Sequence, residues 1–390
     1  MKKLKIYISI AVIVLITAFL SKTCKIKLNV AENEKRGVYI SYIEYLKYFK
    51  NQSEDIIKQQ INHMIETIKD YNLNMILLQV RPFSDAIYKS EIYPMSYTIT
   101  GEEGKEIKLD ILEYFIKKAH EENIEIHAWI NPYRIRNKTD TTSISEKNPC
   151  QKWLGTTKVK IIEGKGIYYN PASEEVISLV VSGVQEIIKN YDVDGIHFDD
   201  YFYPDTTIDL EEYKEFENTI SITDFHFSKT NELIQRVYQT IKEENPNIQF
   251  GISPDGNMKN NYDTHYADVK RWLKEDGYID YIMPQIYYGF YHETKPFIET
   301  VNEWHSYIEN DVDIIPALAL YKSGTTDAYA KTGSEEWKKK NDIISREVLV
   351  LRNTLNNDGF SIFRYDFLES DTENKNLLEE RRLLKELLKD

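Results

Sequence analysis

Asp199 and Asp200 close a short run, Gly195-Ile196-His197-Phe198, and a third acid, Asp255, follows a second run from Gln249 to Ser253. Carboxyl groups brought into one cleft can divide labour. One keeps a proton and delivers it to a leaving oxygen; the other, ionised, attacks carbon or activates water. Glycosidic-bond hydrolysis needs such a pair, set about 5 Å apart in retaining enzymes and about 6.5 to 9.5 Å apart in inverting ones. Strands lie about 4.8 Å apart, so acids ending neighbouring strands satisfy either geometry. The expected roles are Asp199 as nucleophile or base and Asp255 as acid, with Asp200 able to replace either. The plainer alternative is an ion pair of Asp199 or Asp200 with Arg81 or Arg364.

Positioning these acids requires elements that end at one place. From Arg36 onward, β-branched and aromatic runs alternate with segments of helical period. The expected strands are 37–41, 75–80, 125–130, 195–199, 249–253, 278–286, 313–320 and 360–367, and helices at 53–71, 109–121, 173–190, 225–244, 267–274, 296–308 and 334–355 separate them. Eight such units predict an α/β fold, a single (β/α)8 TIM barrel over residues 36–368, with a surface helix at 369–390. Long connections (81–108, 131–172, 200–224 and 254–264) all follow strands, which gathers them on one rim and predicts a site there.

Strand alternation then selects side chains. With Ile196 and Phe198 facing the helices, His197 and Asp199 face the barrel interior. The same parity brings Gln79 and Arg81, His127, Trp129 and Asn131, Ser253 and Asp255, Gln285 and Tyr287, and Arg364 and Asp366 toward the mouth. Arg81, Trp129, Asn131, His197, Gln285, Tyr287, Arg364 and Asp366 are therefore the expected substrate contacts, and His197 is equally readable as a hydrogen-bonded interior residue. Loop aromatics such as Trp153, Tyr203 and Tyr288 could stack on a sugar.

The 390 residues carry a net charge of −14, with 13% aromatic residues that include 29 Tyr. The first 35 residues hold seven Lys against two Glu, so the remainder is more acidic still, which argues against nucleic acid as a partner. Lys2, Lys3 and Lys5 precede the apolar run Ile6 to Leu20, the pattern of an export signal or membrane anchor over residues 1–24, followed by a short linker, 25–35. This run of fifteen residues, broken by Ser9 and Thr17, falls short of the roughly 20 that a spanning helix needs. Cys24 raises lipidation, but Ser21, Lys22 and Thr23 stand where such a signal carries Leu and small residues. The expected location is outside the cytoplasmic membrane, with membrane contact through the N-terminal segment alone.

The run Tyr191-Asp192-Val193-Asp194-Gly195-Ile196-His197-Phe198-Asp199-Asp200-Tyr201-Phe202-Tyr203-Pro204 resembles the hallmark of the glycosyl hydrolase-like family 10 proteins. Arg36-Gly37-Val38-Tyr39, Gln79-Val80-Arg81-Pro82, Ala128-Trp129-Ile130-Asn131-Pro132-Tyr133-Arg134, Gly251-Ile252-Ser253-Pro254 and Asp280-Tyr281-Ile282-Met283-Pro284-Gln285-Ile286-Tyr287-Tyr288 match in the same order. The resemblance implies a TIM barrel, usually exported, that cleaves a polysaccharide, with cell-wall glycan as one substrate in the family.

Competing chemistries find little support. A metal-dependent amidohydrolase wants His-x-His on the first strand, where this chain has Gly37-Val38-Tyr39-Ile40-Ser41. A polysaccharide deacetylase wants two His at helical spacing, and no two of the eight His lie three to five residues apart. Tyr201 replaces the glutamate of an Asp-x-Glu dyad, which argues against substrate-assisted cleavage. No metal or organic cofactor is expected. The remaining alternative is a sugar-binding barrel without turnover.

Overall fold

The structure, a computed structural model, describes residues 33–354 and 358–389. The expected export segment and residues 25–32 of the linker lie outside the described residues. Nine short parallel strands form one sheet, in the order Asp313–Ile314, Tyr281–Ile282, Gln249–Ile252, Gly195–Phe198, Glu125–Ile130, Met75–Arg81, Lys35–Ile40, Gly359–Ile362 and Ala317–Leu318. The two end strands are halves of one segment, interrupted at Pro316, which has no N–H to donate to a ladder. One half pairs with Tyr281–Ile282 and the other with Gly359–Ile362, so the sheet returns on itself as the eight positions of a (β/α)8 barrel.

The second strand explains why the sheet curls. All seven of its residues are buried, as in a strand covered on both faces. Met75 and Leu77 pack inside the barrel with Tyr39, Trp129, Tyr281, Met283, Ile315 and Ala317. Ile76, Leu78 and Val80 pack outward on the helices, in a core shared with Ile57, Ile61, Met64 and Ile68 of helix Glu54–Asp70. Two glycines make room for the large interior rings. A Cβ on Gly195 would stand 2.2 Å from His127 Nδ1, and one on Gly251 would stand 2.1 Å from the Tyr281 ring.

Several elements are shorter than their sequence pattern suggests. Pro284 limits the sixth strand to Tyr281–Ile282, the helix expected at 267–274 is the single turn Val269–Trp272, and 334–355 divides into Glu336–Lys339 and Ile343–Thr354. The long connection after the third strand is not all loop. Arg134–Arg136, Val159–Ile162 and Gly166–Tyr169 form a separate antiparallel sheet beside the mouth. Helix Lys375–Leu387 lies against Ile343–Thr354, where Glu380 accepts from the backbone N–H groups of Ile344 and Ser345. Among the described residues no helix is long and apolar enough to cross a membrane.

Candidate active site

A cleft of about 270 Å³ opens at the C-terminal ends of the strands, lined by Tyr39, Ser41, Tyr42, Ile43, Gln79, Trp129, Arg134, Asp199, Asp200, Tyr201, Ser253, Gln285, Tyr287 and Phe363. This is the face on which barrel enzymes place their catalytic groups. Asp199 follows the last residue of the fourth strand and is 5% exposed. Its two oxygens accept from three N–H donors: Trp129 Nε1 to Oδ2 at 3.1 Å, Asn131 Nδ2 to both at 3.2 Å, and the Tyr201 N–H to Oδ1 at 3.4 Å. Asn131 is itself oriented, because its Oδ1 accepts the Arg134 backbone N–H at 3.0 Å.

Burial, and then the charge of Asp200, push the Asp199 carboxyl up to about 7, against the pull of Arg134 and the Trp129 and Tyr201 donors. Asp200, half-buried beside it, is pushed up to about 6 by desolvation first and by the Asp255 charge second, while Gln285 and Arg134 act the other way. Two carboxyl groups thus titrate near neutrality in one cleft. They are coupled, and near pH 7 the pair can carry one proton and one charge.

Trp129, Asn131, Gln285 and Tyr287 stand where strand parity puts them. Gln285 donates through Nε2 to the Ser253 carbonyl at 2.9 Å and lines the cleft next to Asp200. Asp255 does not line the cleft. Its carboxylate is turned into its own loop, accepting from the Asn257 N–H at 2.7 Å and Asn260 Nδ2 at 2.9 Å, a local turn of the kind Asp commonly makes. It stands behind Asp200 and reaches the chemistry through its charge.

Four expected contacts lie elsewhere. Between Gln79 and Arg81 the ladder shifts register, so Arg81 leaves the inward phase and turns toward the helices, its guanidinium 4.0 Å over the Tyr93 ring and against Gly183. The eighth strand stops at Ile362 and Phe363 takes the cleft position. Arg364 instead pairs with Glu44, and Asp366 accepts from Lys47 and Tyr48 Oη. His197 does face inward, but on the layer below the cleft. Its Nδ1 lies 3.1 Å from Tyr281 Oη, which also meets His127 Nδ1 at 2.8 Å. Burial lowers both histidines, His197 the further, so they are neutral.

Arg134 is the group that parity reasoning missed. Its guanidinium sits 4.8 Å from the Tyr201 ring and 4.9 Å from that of Phe83, with Nε donating to the Pro82 carbonyl. The signal available was its place three residues after Asn131, just beyond a strand end. Tyr39 and Ser41 share the inward phase of the first strand and were equally readable. Among the described residues no three His, Cys, Asp or Glu group to hold a metal ion.

Comparison with known proteins decides the family. The model of the glycosyl hydrolase-like 10 family matches residues 34–333. The chain belongs to that family. Glycosyl hydrolase YngK of Bacillus subtilis (strain 168) is 32% identical over 321 residues, 75% of this chain and 62% of the relative, so the match spans less than two thirds of that protein. Glycosyl hydrolase DigH of Escherichia coli (strain K12) is 28% identical over 379 residues, covering 85% of this chain and 83% of the relative. Among solved structures, the PgaB (BpsB) glycoside hydrolase domain from Bordetella bronchiseptica superposes with a TM-score of 0.57 at 11% identity, covering 91% of this chain and 98% of that one. α-L-Fucosidase isoenzyme 2 from Paenibacillus thiaminolyticus gives 0.56 at 13%, over 91% and 49%. These structural likenesses establish the barrel fold, and the relatives' names agree with the hydrolase class expected from the sequence.

Proposed function

We propose that this chain hydrolyses O-glycosidic bonds of a polysaccharide, with Asp199 and Asp200 as its two working carboxyl groups. The observation that carries the reading is the Asp199 carboxylate at the cleft floor, held on both oxygens by Trp129, Asn131 and the Tyr201 N–H with a second carboxyl beside it. N–H donors on both oxygens are met in full only by the ionised form. Asp199 is therefore the nucleophile or base. Burial raises Asp199 further than Asp200, to about 7 against about 6, but the three N–H donors on Asp199 favour its charged form, so the reading assigns the charge of the coupled pair to Asp199 and the proton to Asp200, which lines the cleft and is raised by burial and the Asp255 charge. This reading moves the acid from Asp255 to its neighbour in space. Arg134 limits how far both groups rise, so that Asp199 still ionises near neutral pH.

Cell-wall glycan is the proposed polysaccharide, and the outer side of the cytoplasmic membrane the proposed location. The latter rests on Lys2, Lys3 and Lys5 ahead of Ile6 to Leu20. Fractionation of expressing cells checks it: the protein is expected outside the cytoplasm, and recovery of unprocessed chain in the soluble cytoplasm alone refutes it. For the reaction, Asp200→Asn should slow natural glycans far more than activated aryl glycosides, which leave without protonation. Equal loss on both substrate types removes Asp200 from the acid role.

A further inference from the structure

Two large rings stand in solvent. Tyr291 is 64% exposed and Tyr329 is 87% exposed. Tyr291 lies on the connection after the sixth strand and Tyr329 on the connection after the seventh, so both belong to the mouth side of the barrel. Neither ring gains from burial, yet the backbone beneath them is tightly held. The Glu336 carboxylate accepts from the N–H groups of Tyr291 at 2.8 Å and Phe290 at 3.2 Å. Across the two connections, the Glu293 N–H donates to the Ala330 carbonyl at 3.3 Å, and Lys331 Nζ lies 3.4 Å from Glu293 Oε1. Gly333 passes so close that a Cβ there would stand 2.1 Å from the Tyr291 carbonyl oxygen.

The same connections are tied to the cleft. Lys322 Nζ donates to the carbonyl of Tyr287, a cleft-lining residue, at 2.8 Å and to Asp327 at 2.6 Å, and Asp327 in turn accepts the Tyr329 N–H at 3.1 Å. Tyr291 is four positions on from Tyr287, a span of at most about 14 Å. Glu293, Lys331 and Thr332 stand on the same two connections and bond to one another, so this is not the continuous apolar area that a stable protein interface needs. Flat faces set apart among polar groups suit a ligand that alternates C–H faces with hydroxyl edges, which is a sugar chain. Lys331 at the tip holds a left-handed φ of 51°, a conformation kept only where its surroundings impose it.

We propose that Tyr291 and Tyr329 form a distal subsite that grips the polysaccharide chain beyond the cleft, which makes the protein selective for polymers over short oligosaccharides. This rests on the glycosidase reading above. In Tyr291→Ala/Tyr329→Ala, KM for a soluble polymer should rise about tenfold with kcat unchanged, while trisaccharide turnover stays at the wild-type value. Electrophoresis in gels containing glycol chitin, amylose or peptide-free wall glycan, run on Asp199→Asn with and without the tyrosines, reads binding without cleavage. The tyrosine-containing protein should be retarded by at least one polymer and the double variant less so. Cleavage by the wild type with an unchanged polymer KM in the double variant overturns the subsite and leaves the glycosidase reading intact. Neither retardation nor cleavage with any glycan overturns both. A dimer that the two substitutions disperse in sedimentation would make the rings a protein contact and overturn the subsite.

Discussion

Asp255→Asn separates a charge that tunes the acid from a group that is the acid. The substitution keeps the side-chain oxygen that accepts the Asn257 N–H, removes the negative charge near Asp200, and turns the oxygen that accepts from Asn260 Nδ2 into an NH2 group, which the Asn260 amide can meet by flipping. That charge is the second cause, after burial, of the rise of Asp200 to about 6. A like charge at such range is worth about one pKa unit or more, so Asp200 should fall by about that much, which is about 1.4 kcal/mol. An acid works only while protonated. Lowering its pKa therefore costs nothing where Asp200 is protonated in both proteins, and the loss grows as pH rises. The ratio of variant to wild-type kcat/KM, followed by reducing-end release, should fall from near one at pH 4 through about a half at pH 5 to about a tenth at pH 8. A loss equal at all pH values, with activated aryl glycosides spared, would return the acid role to Asp255 itself. An unchanged profile would mean that its charge does not reach Asp200.

Asp199→Asn should cut turnover at least about a thousandfold. It should also flatten the pH dependence of stability: a carboxyl raised from about 3.9 unfolded to about 7 folded loses stability as pH climbs between those values, up to about 4 kcal/mol, and Asn does not titrate. Thermal melts at pH 4 and pH 8 check this, and a variant that changes in stability between them as much as the wild type does refutes it. Arg134→Gln removes a cation that holds both acids down, so the pH profile should move to higher pH and KM should rise; a fixed profile places Arg134 outside the site's field. Gly251→Ala drives a methyl into the Tyr281 ring and should cost about 1–3 kcal/mol in denaturant unfolding, whereas a neutral result would show that the barrel interior yields at that layer.

The barrel was legible because its period is repeated eight times and its strands are buried on both faces. The site was legible wherever the strand phase persists to the rim, as at Trp129, Asn131, Asp199 and Gln285. It failed where the phase breaks or shifts. A register shift after Gln79 turned Arg81 outward, and on the eighth strand the expected phase was one residue off: Phe360 and Ile362 face the helices, so Phe363 and not Arg364 points into the cleft. Asp255 was misplaced for a different reason: a side chain next to turn residues has backbone partners of its own, and Asn257 and Asn260 captured it. None of these depends on propensity summed over a window, so pattern reading has no purchase on them. The small sheet formed by Arg134–Arg136, Val159–Ile162 and Gly166–Tyr169 was hidden because its strands are only three or four residues long.

The reading stands or falls on whether this cleft cuts glycosidic bonds through Asp199. Purified wild type and Asp199→Asn, incubated side by side with peptide-free wall glycan and a panel of other polysaccharides, test it by the reducing ends released. New reducing ends are expected from at least one glycan with the wild type and none above background with the variant, while the variant still binds that glycan. Release by Asp199→Asn at near the wild-type rate would contradict it, as would binding without any release by the folded wild-type protein.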